Sequence, residues 1–128
     1  MTYLLDVNAL LALGFTHHSE HARVARWMRG LSDDQVASCS ITEIGFVRIA
    51  CRVAGMAKDA TAARQMLGQL KSAAGMALIP DANGAADLPP WVLRPAHVMD
   101  GHLLALAAKH GGRLATLDRG IRGAFLIP

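Results

Sequence analysis

Short apolar runs that stop at a polar residue alternate along this chain with longer stretches whose apolar positions recur at helical spacing. Tyr3-Leu4-Leu5, cut off by Asp6-Val7-Asn8, predicts a short buried strand, followed by a brief helix over Ala9 to Gly14. From Glu20 to Leu31 the residues Val24, Trp27, Met28 and Leu31 share one helical face, and Arg23, Arg26 and Arg29 occupy the wet side. Ser32-Asp33-Asp34 turns the chain into a second strand, Gln35 to Cys39. Ser40-Ile41-Thr42-Glu43 opens a helix with Ile44, Val47, Cys51 and Ala54 on its apolar face and Gly55 at its end. Asp59 stands where an N-cap belongs for a helix over about 60 to 73. Met76 to Ile79 is a third strand, stopped by Pro80. The stretch Asp81 to Pro95, punctuated by Gly84, Pro89 and Pro90, is loop or at most one turn. His97 to Lys109 is a helix with Pro95 near its start and Gly111-Gly112 past its end. Arg113 to Leu117 and Ala124 to Ile127 are the fourth and fifth strands.

Strands that alternate with helices predict an α/β chain, a three-layer α/β/α fold with a mostly parallel five-stranded sheet. A length of 128 residues suits one domain over 1–128, and 52% apolar against 18% charged residues excludes intrinsic disorder. No apolar run reaches the ~18 residues of a membrane span. The segment MTYLLDVNALLALGF has no basic leader and carries Asp6 within it, which argues against a signal peptide. Cys39 and Cys51 give no disulfide framework and are expected to pack as small apolar groups in a reducing cytoplasm.

The acids change this picture. There are eight Asp and only two Glu, so the usual filler of solvated helix faces is nearly absent and most acids have local reasons for their positions. In a parallel sheet every strand ends at the same edge, the following helix starts there, and ligands sit outside it. Asp6 ends strand one, Glu43 opens the helix after strand two, Asp100 lies early in the helix after strand three, and Asp118 ends strand four. All four are expected to converge on that edge. Asp33 and Asp34 belong to the opposite edge, and Asp81 and Asp87 lie in the loop. Clustered carboxylates need a cation between them, and hard oxygen ligands suit Mg²⁺ or Mn²⁺. With the four set aside, thirteen basic residues face six acids, which favours a polyanionic substrate.

The segments LLDVNALLAL, SITEIGFVRIA, VMDGHLLALAAKHGGRLATLDRGI and AFLIP, in this order and spacing, resemble the PIN-domain ribonucleases, and most closely the VapC-type toxins of bacterial toxin–antitoxin pairs. The resemblance spans nearly the whole chain. It implies a PIN-like fold, a Mg²⁺- or Mn²⁺-dependent endoribonuclease with RNA as substrate, a homodimer, and a cognate VapB-type antitoxin that holds it inactive. It assigns catalysis and metal binding to Asp6, Glu43, Asp100 and Asp118. Asn8, Thr116 and Arg119 match polar positions that orient metal, water or phosphate. Gly101 departs from the pattern, where Ala is more common, and the loop 81–95 matches no family segment.

Each residue also has a purely structural reading. Asp6 with Asn8 can cap a helix, Ser40-x-x-Glu43 spells a capping box, Asp100 suits a helix dipole, and Asp118-Arg119-Gly120 can form a turn. One site explains all four together. His17-His18-Ser19-Glu20-His21 invites a zinc reading but lacks a completing ligand, so capping and packing near Trp27 are expected. His97 and His102 are expected to be local hydrogen-bonders, and Arg23, Arg26 and Arg29 a solvated face. Two rivals stand beside the nuclease: an aspartate-nucleophile phosphohydrolase, which usually carries Asp-x-Asp where this chain has Asp6-x-Asn8, and a catalytically silent PIN-fold module that binds RNA or protein.

Overall fold

The computed structural model describes all 128 residues. Five strands, β1 (Thr2–Leu5), β2 (Gln35–Cys39), β3 (Ala77–Ile79), β4 (Arg113–Thr116) and β5 (Phe125–Leu126), form one sheet in the order β3-β2-β1-β4-β5. Every pairing is parallel, with Leu4 opposite Ala37 on one side and Leu114 on the other. Successive strand residues point to opposite faces. Leu5, Val36 and Ala115 therefore enter one core, while Leu4, Ala37 and Leu114 enter a second.

The helices divide unequally between these faces. Helices α1 (Val7–Gly14), α2 (His21–Arg29), α3 (Ser40–Arg52) and α4 (Ala60–Ala74) supply Leu10, Trp27, Phe46 and Leu67 to the first core. Helix α5 (Pro95–Lys109) covers most of the second, through Leu103, Leu106 and Ala107, with Ile41 of α3 packed at its margin. The three layers are those the sequence predicts. No helix is long and apolar enough to cross a membrane.

Local chemistry sets the boundaries. Asp6 caps α1 and Asp59 caps α4, each accepting the backbone N–H three residues on at 2.8 Å, a bond worth about 1 kcal/mol. The predicted capping box at Ser40 and Glu43 is shifted by one residue: Cys39 N–H donates to Thr42 Oγ1 at 3.0 Å, and the Thr42 hydroxyl lies 3.7 Å from Cys39 Sγ. Glu43 is thereby released from capping. The apolar face predicted for α3 is rotated as well. Thr42, Phe46 and Ala50 are buried, because the Phe46 ring stacks on Phe15 at 5.5 Å and sets the face, whereas Ile44, Cys51 and Ala54 are exposed. Cys39 packs in the core as expected, but Cys51 does not.

Two further expectations resolve differently. Arg23 is not simply solvated: its guanidinium donates to the Ile127 carbonyl at 3.0 and 2.5 Å and pairs with Glu20, tying the chain end to α2. The histidine cluster serves the backbone. Glu20 N–H donates to His18 Nδ1 at 3.0 Å, and His21 Nδ1 lies 2.8 Å from the Ala12 carbonyl. Trp27 packs instead on the rings of Tyr3 and Phe125.

Candidate active site

The strand ends carry the acids. Asp6 directly follows β1, and its N–H continues the ladder by donating to Ala115. Its side chain is buried, with Oδ1 accepting from Ala9 N–H and Oδ2 from the Thr116 hydroxyl at the end of β4. The Thr116 oxygen also accepts the N–H of Asp118 at 3.0 Å. One buried hydroxyl thus links two of the predicted acids across neighbouring strands. Asp118 is exposed, its Oδ1 held by Gly120 N–H at 2.7 Å in a tight turn.

Asp100 is the sixth residue of α5, because the helix begins at Pro95. That position lies beyond the first turn, so the helix dipole gives little reason for an acid there. Burial first, and then Asp118, pushes the Asp100 carboxyl above the ordinary aspartate value, while His97 opposes the rise. Asp6 is pushed up in the same way. Burial is its main cause, the bonds from Thr116 and Ala9 oppose it, and the charges of Asp100 and Asp118 add to it. The three aspartates feel one another, and none has a cationic partner in an ion pair.

Glu43 is differently placed. Its Oε2 accepts from Ser38 Oγ at 2.7 Å and from Lys71 Nζ at 2.9 Å, so its charge is already met by α4. Asn8 is exposed on the wall of a cleft of about 500 Å³ that it shares with Asp6, Asp100, Ile44, Arg48 and Met99. Arg119 is exposed in the turn after Asp118. As the side chains lie, no three His, Cys, Asp or Glu groups are close enough to hold an ion between them. The donor chemistry fits a hard cation nonetheless: the three aspartates offer oxygen ligands, none is in an ion pair, and burial together with their mutual charge makes Asp6 and Asp100 resist ionisation.

Several neighbours were not legible from the pattern. Ser38 lies in the buried run Val36–Cys39, and a buried hydroxyl must find a partner, so its position in the sequence does carry a signal. Lys71 lies 28 residues from Glu43 and gave none. Asp81, expected in a free loop, instead binds His102 Nε2 at 2.6 Å with both side chains largely buried, confirming His102 as a local hydrogen-bonder. Gly101 also finds its reason. A Cβ there would stand 2.3 Å from Val92 Cγ2, so the missing side chain lets the loop lie directly on α5.

Replacing Thr116 with Val keeps the shape and removes the hydroxyl. The expected result is a loss of about 1–3 kcal/mol in denaturant unfolding, from the unsatisfied Asp6 oxygen and Asp118 N–H.

Together these features define a three-layer parallel α/β protein with aspartates gathered toward its strand ends. Residues 3–124 match the PIN domain family model, and the chain belongs to the PIN domain family. It is 41% identical to ribonuclease VapC39 of Mycobacterium tuberculosis over 124 residues, covering 92% of this chain and 89% of that one. It is 38% identical to ribonuclease VapC38 of the same organism (92% and 86% covered) and 35% identical to ribonuclease VapC29 (100% and 98%). Among solved structures, VapBC2 from Rickettsia felis, bound to a DNA fragment of its promoter, shares the fold with a TM-score of 0.56 at 13% identity, covering 98% of this chain and 97% of that one.

Proposed function

We propose that residues 1–128 form one PIN domain acting as a divalent-metal-dependent endoribonuclease, the toxin of a toxin–antitoxin pair. The observation that carries this reading is the set Asp6, Asp100 and Asp118, drawn from distant parts of the chain to one strand-end edge without a cationic partner. Membership of the PIN family and the ribonuclease relatives support RNA as the substrate. Mg²⁺ or Mn²⁺, held by these three with Glu43 as the fourth carboxylate, would supply the charge that activates water toward a phosphodiester and stabilises the leaving oxygen.

The chain's own residues do the positioning. Thr116 fixes the Asp6 carboxylate and the backbone of Asp118 relative to each other. Ser38 and Lys71 hold Glu43 through one oxygen. Asn8 presents an amide on the cleft wall beside Asp6, and Arg119 offers an exposed cation to a phosphate next to Asp118. An Asp6-nucleophile phosphohydrolase is less well supported, because Asn8 stands where such sites usually carry a second aspartate. A cognate VapB-type antitoxin and a homodimer complete the proposal, the first supported by the VapBC2 complex.

The test is direct. Antitoxin-free protein is expected to cleave RNA internally with Mg²⁺ or Mn²⁺, to stop on chelation, and to arrest growth until a neighbouring antitoxin is co-expressed. Binding of RNA without cleavage in either metal would favour the silent module instead.

A further inference from the structure

Asp100 lines two hollows. On one side is the cleft shared with Asp6. On the other is a hollow of about 520 Å³ walled by Trp91, His97, Gly120, Ile121 and Arg122. Trp91 is 49% exposed, a large apolar surface held beside a charged site. It is seated there by the packing of its loop on α5. Pro89-Pro90 stiffens the loop, and Val92 rests where a Gly101 side chain would be. A Gly101 Cβ would also lie 3.5 Å from Pro89 Cδ and 3.6 Å from Trp91 Cη2. The loop is fixed to α5 again by Asp81 on His102 and by Lys109 Nζ on Asn83 at 3.1 Å. Trp91 is therefore a placed residue, with the His97 ring 6.2 Å away at 55°.

We propose that this hollow takes an unpaired nucleobase of the RNA strand whose phosphodiester lies at the aspartate edge, with Trp91 as its stacking surface. Every base offers a π-face, and aromatic stacking is the usual way a single strand is held. Ile121 gives a second apolar wall, His97 can hydrogen-bond a base edge, and the exposed Arg122 suits an adjoining phosphate. A strand crossing Asp100 would fill both hollows at once. The inference rests on the ribonuclease reading above and adds to it a residue that contacts the substrate.

The test uses the antitoxin-free protein and a mixed-sequence single-stranded RNA oligomer. Trp91→Ala is expected to weaken binding in chelator, and to lower kcat/KM with Mn²⁺, by roughly 5- to 150-fold, while Trp91→Phe keeps most of both. RNA should also quench the tryptophan fluorescence of the parent. In Trp91→Phe, which retains only the buried Trp27, that quenching should vanish while the RNA still binds. A parent that cleaves RNA, with Trp91→Ala equal to it, overturns the subsite and leaves the ribonuclease standing. A parent that neither binds nor cleaves RNA overturns both. Loss of antitoxin binding in Trp91→Ala with unchanged RNA kinetics assigns the hollow to a protein and overturns the proposal.

Discussion

Asp6→Asn is expected to lose RNA cleavage by at least about a hundredfold and, in metal-free buffer at pH 7, to melt at a higher temperature than the parent. Even an outer partner of a metal ligand is worth about 10–100-fold, so a central carboxylate should cost more. Asn caps a helix as well as Asp and keeps an oxygen for Ala9 N–H, and its amide can donate to the freely rotating Thr116 hydroxyl. What disappears is a buried charge facing Asp100 and Asp118. The folded pKa of Asp6 lies above the unfolded 3.8, so the native state holds that proton more tightly. Its contribution to stability is full below pH 3.8 and is lost as pH rises through the folded value. The variant keeps a neutral group throughout. Its advantage should therefore be absent at acid pH and appear as pH increases. A site that is unstable without its ligand and improved by disabling it shows the trade between stability and activity. Thermal melts of both proteins across pH, with chelator, check this.

Mn²⁺ should reverse that instability. A ligand that binds only the native state at a hundredfold its Kd adds about 2.7 kcal/mol, which for a domain of this size raises the Tm by roughly 10 °C. The shift should weaken as pH falls, since Asp6 and Asp100 must give up protons to bind and both have raised pKa values. In Asp6→Asn most of it should be gone. Differential scanning fluorimetry with and without Mn²⁺ reads each outcome. An equal shift in parent and variant would place the ion elsewhere.

The layers and the parallel sheet were legible because the central strands alternate between two cores, as at Leu4 and Leu5, and β1 and β4 run into polar residues, Asp6 and Thr116. Asp59 and Pro95 marked helix starts by chemistry that acts within one turn. The placement of Asp6 and Asp118 was legible because parallel topology carries the ends of β1 and β4 to one edge. What failed was long-range or rotational. Phe46 set the buried face of α3 by stacking on Phe15, which periodicity cannot weigh. A cysteine is a weak acceptor and so a poor cap signal, while Ser40-x-x-Glu43 spells a capping box one residue later. The ion pair of Glu43 with Lys71 joins two helices and leaves no local trace. Gly101 and the loop before it are separate features in the sequence. Only contact between Val92 and α5 makes them one feature.

The basic balance of the chain likewise divides in space. Lys71 meets Glu43, but nothing positive is paired with Asp6, Asp100 or Asp118. We propose that these three aspartates form one catalytic site. Side-by-side RNA cleavage in Mn²⁺ by the parent and the single variants Asp6→Asn, Asp100→Asn and Asp118→Asn tests it most directly. Each variant is predicted to fall at least about a hundredfold while remaining folded by circular dichroism. Any one of them cleaving at the parent's rate would contradict the account.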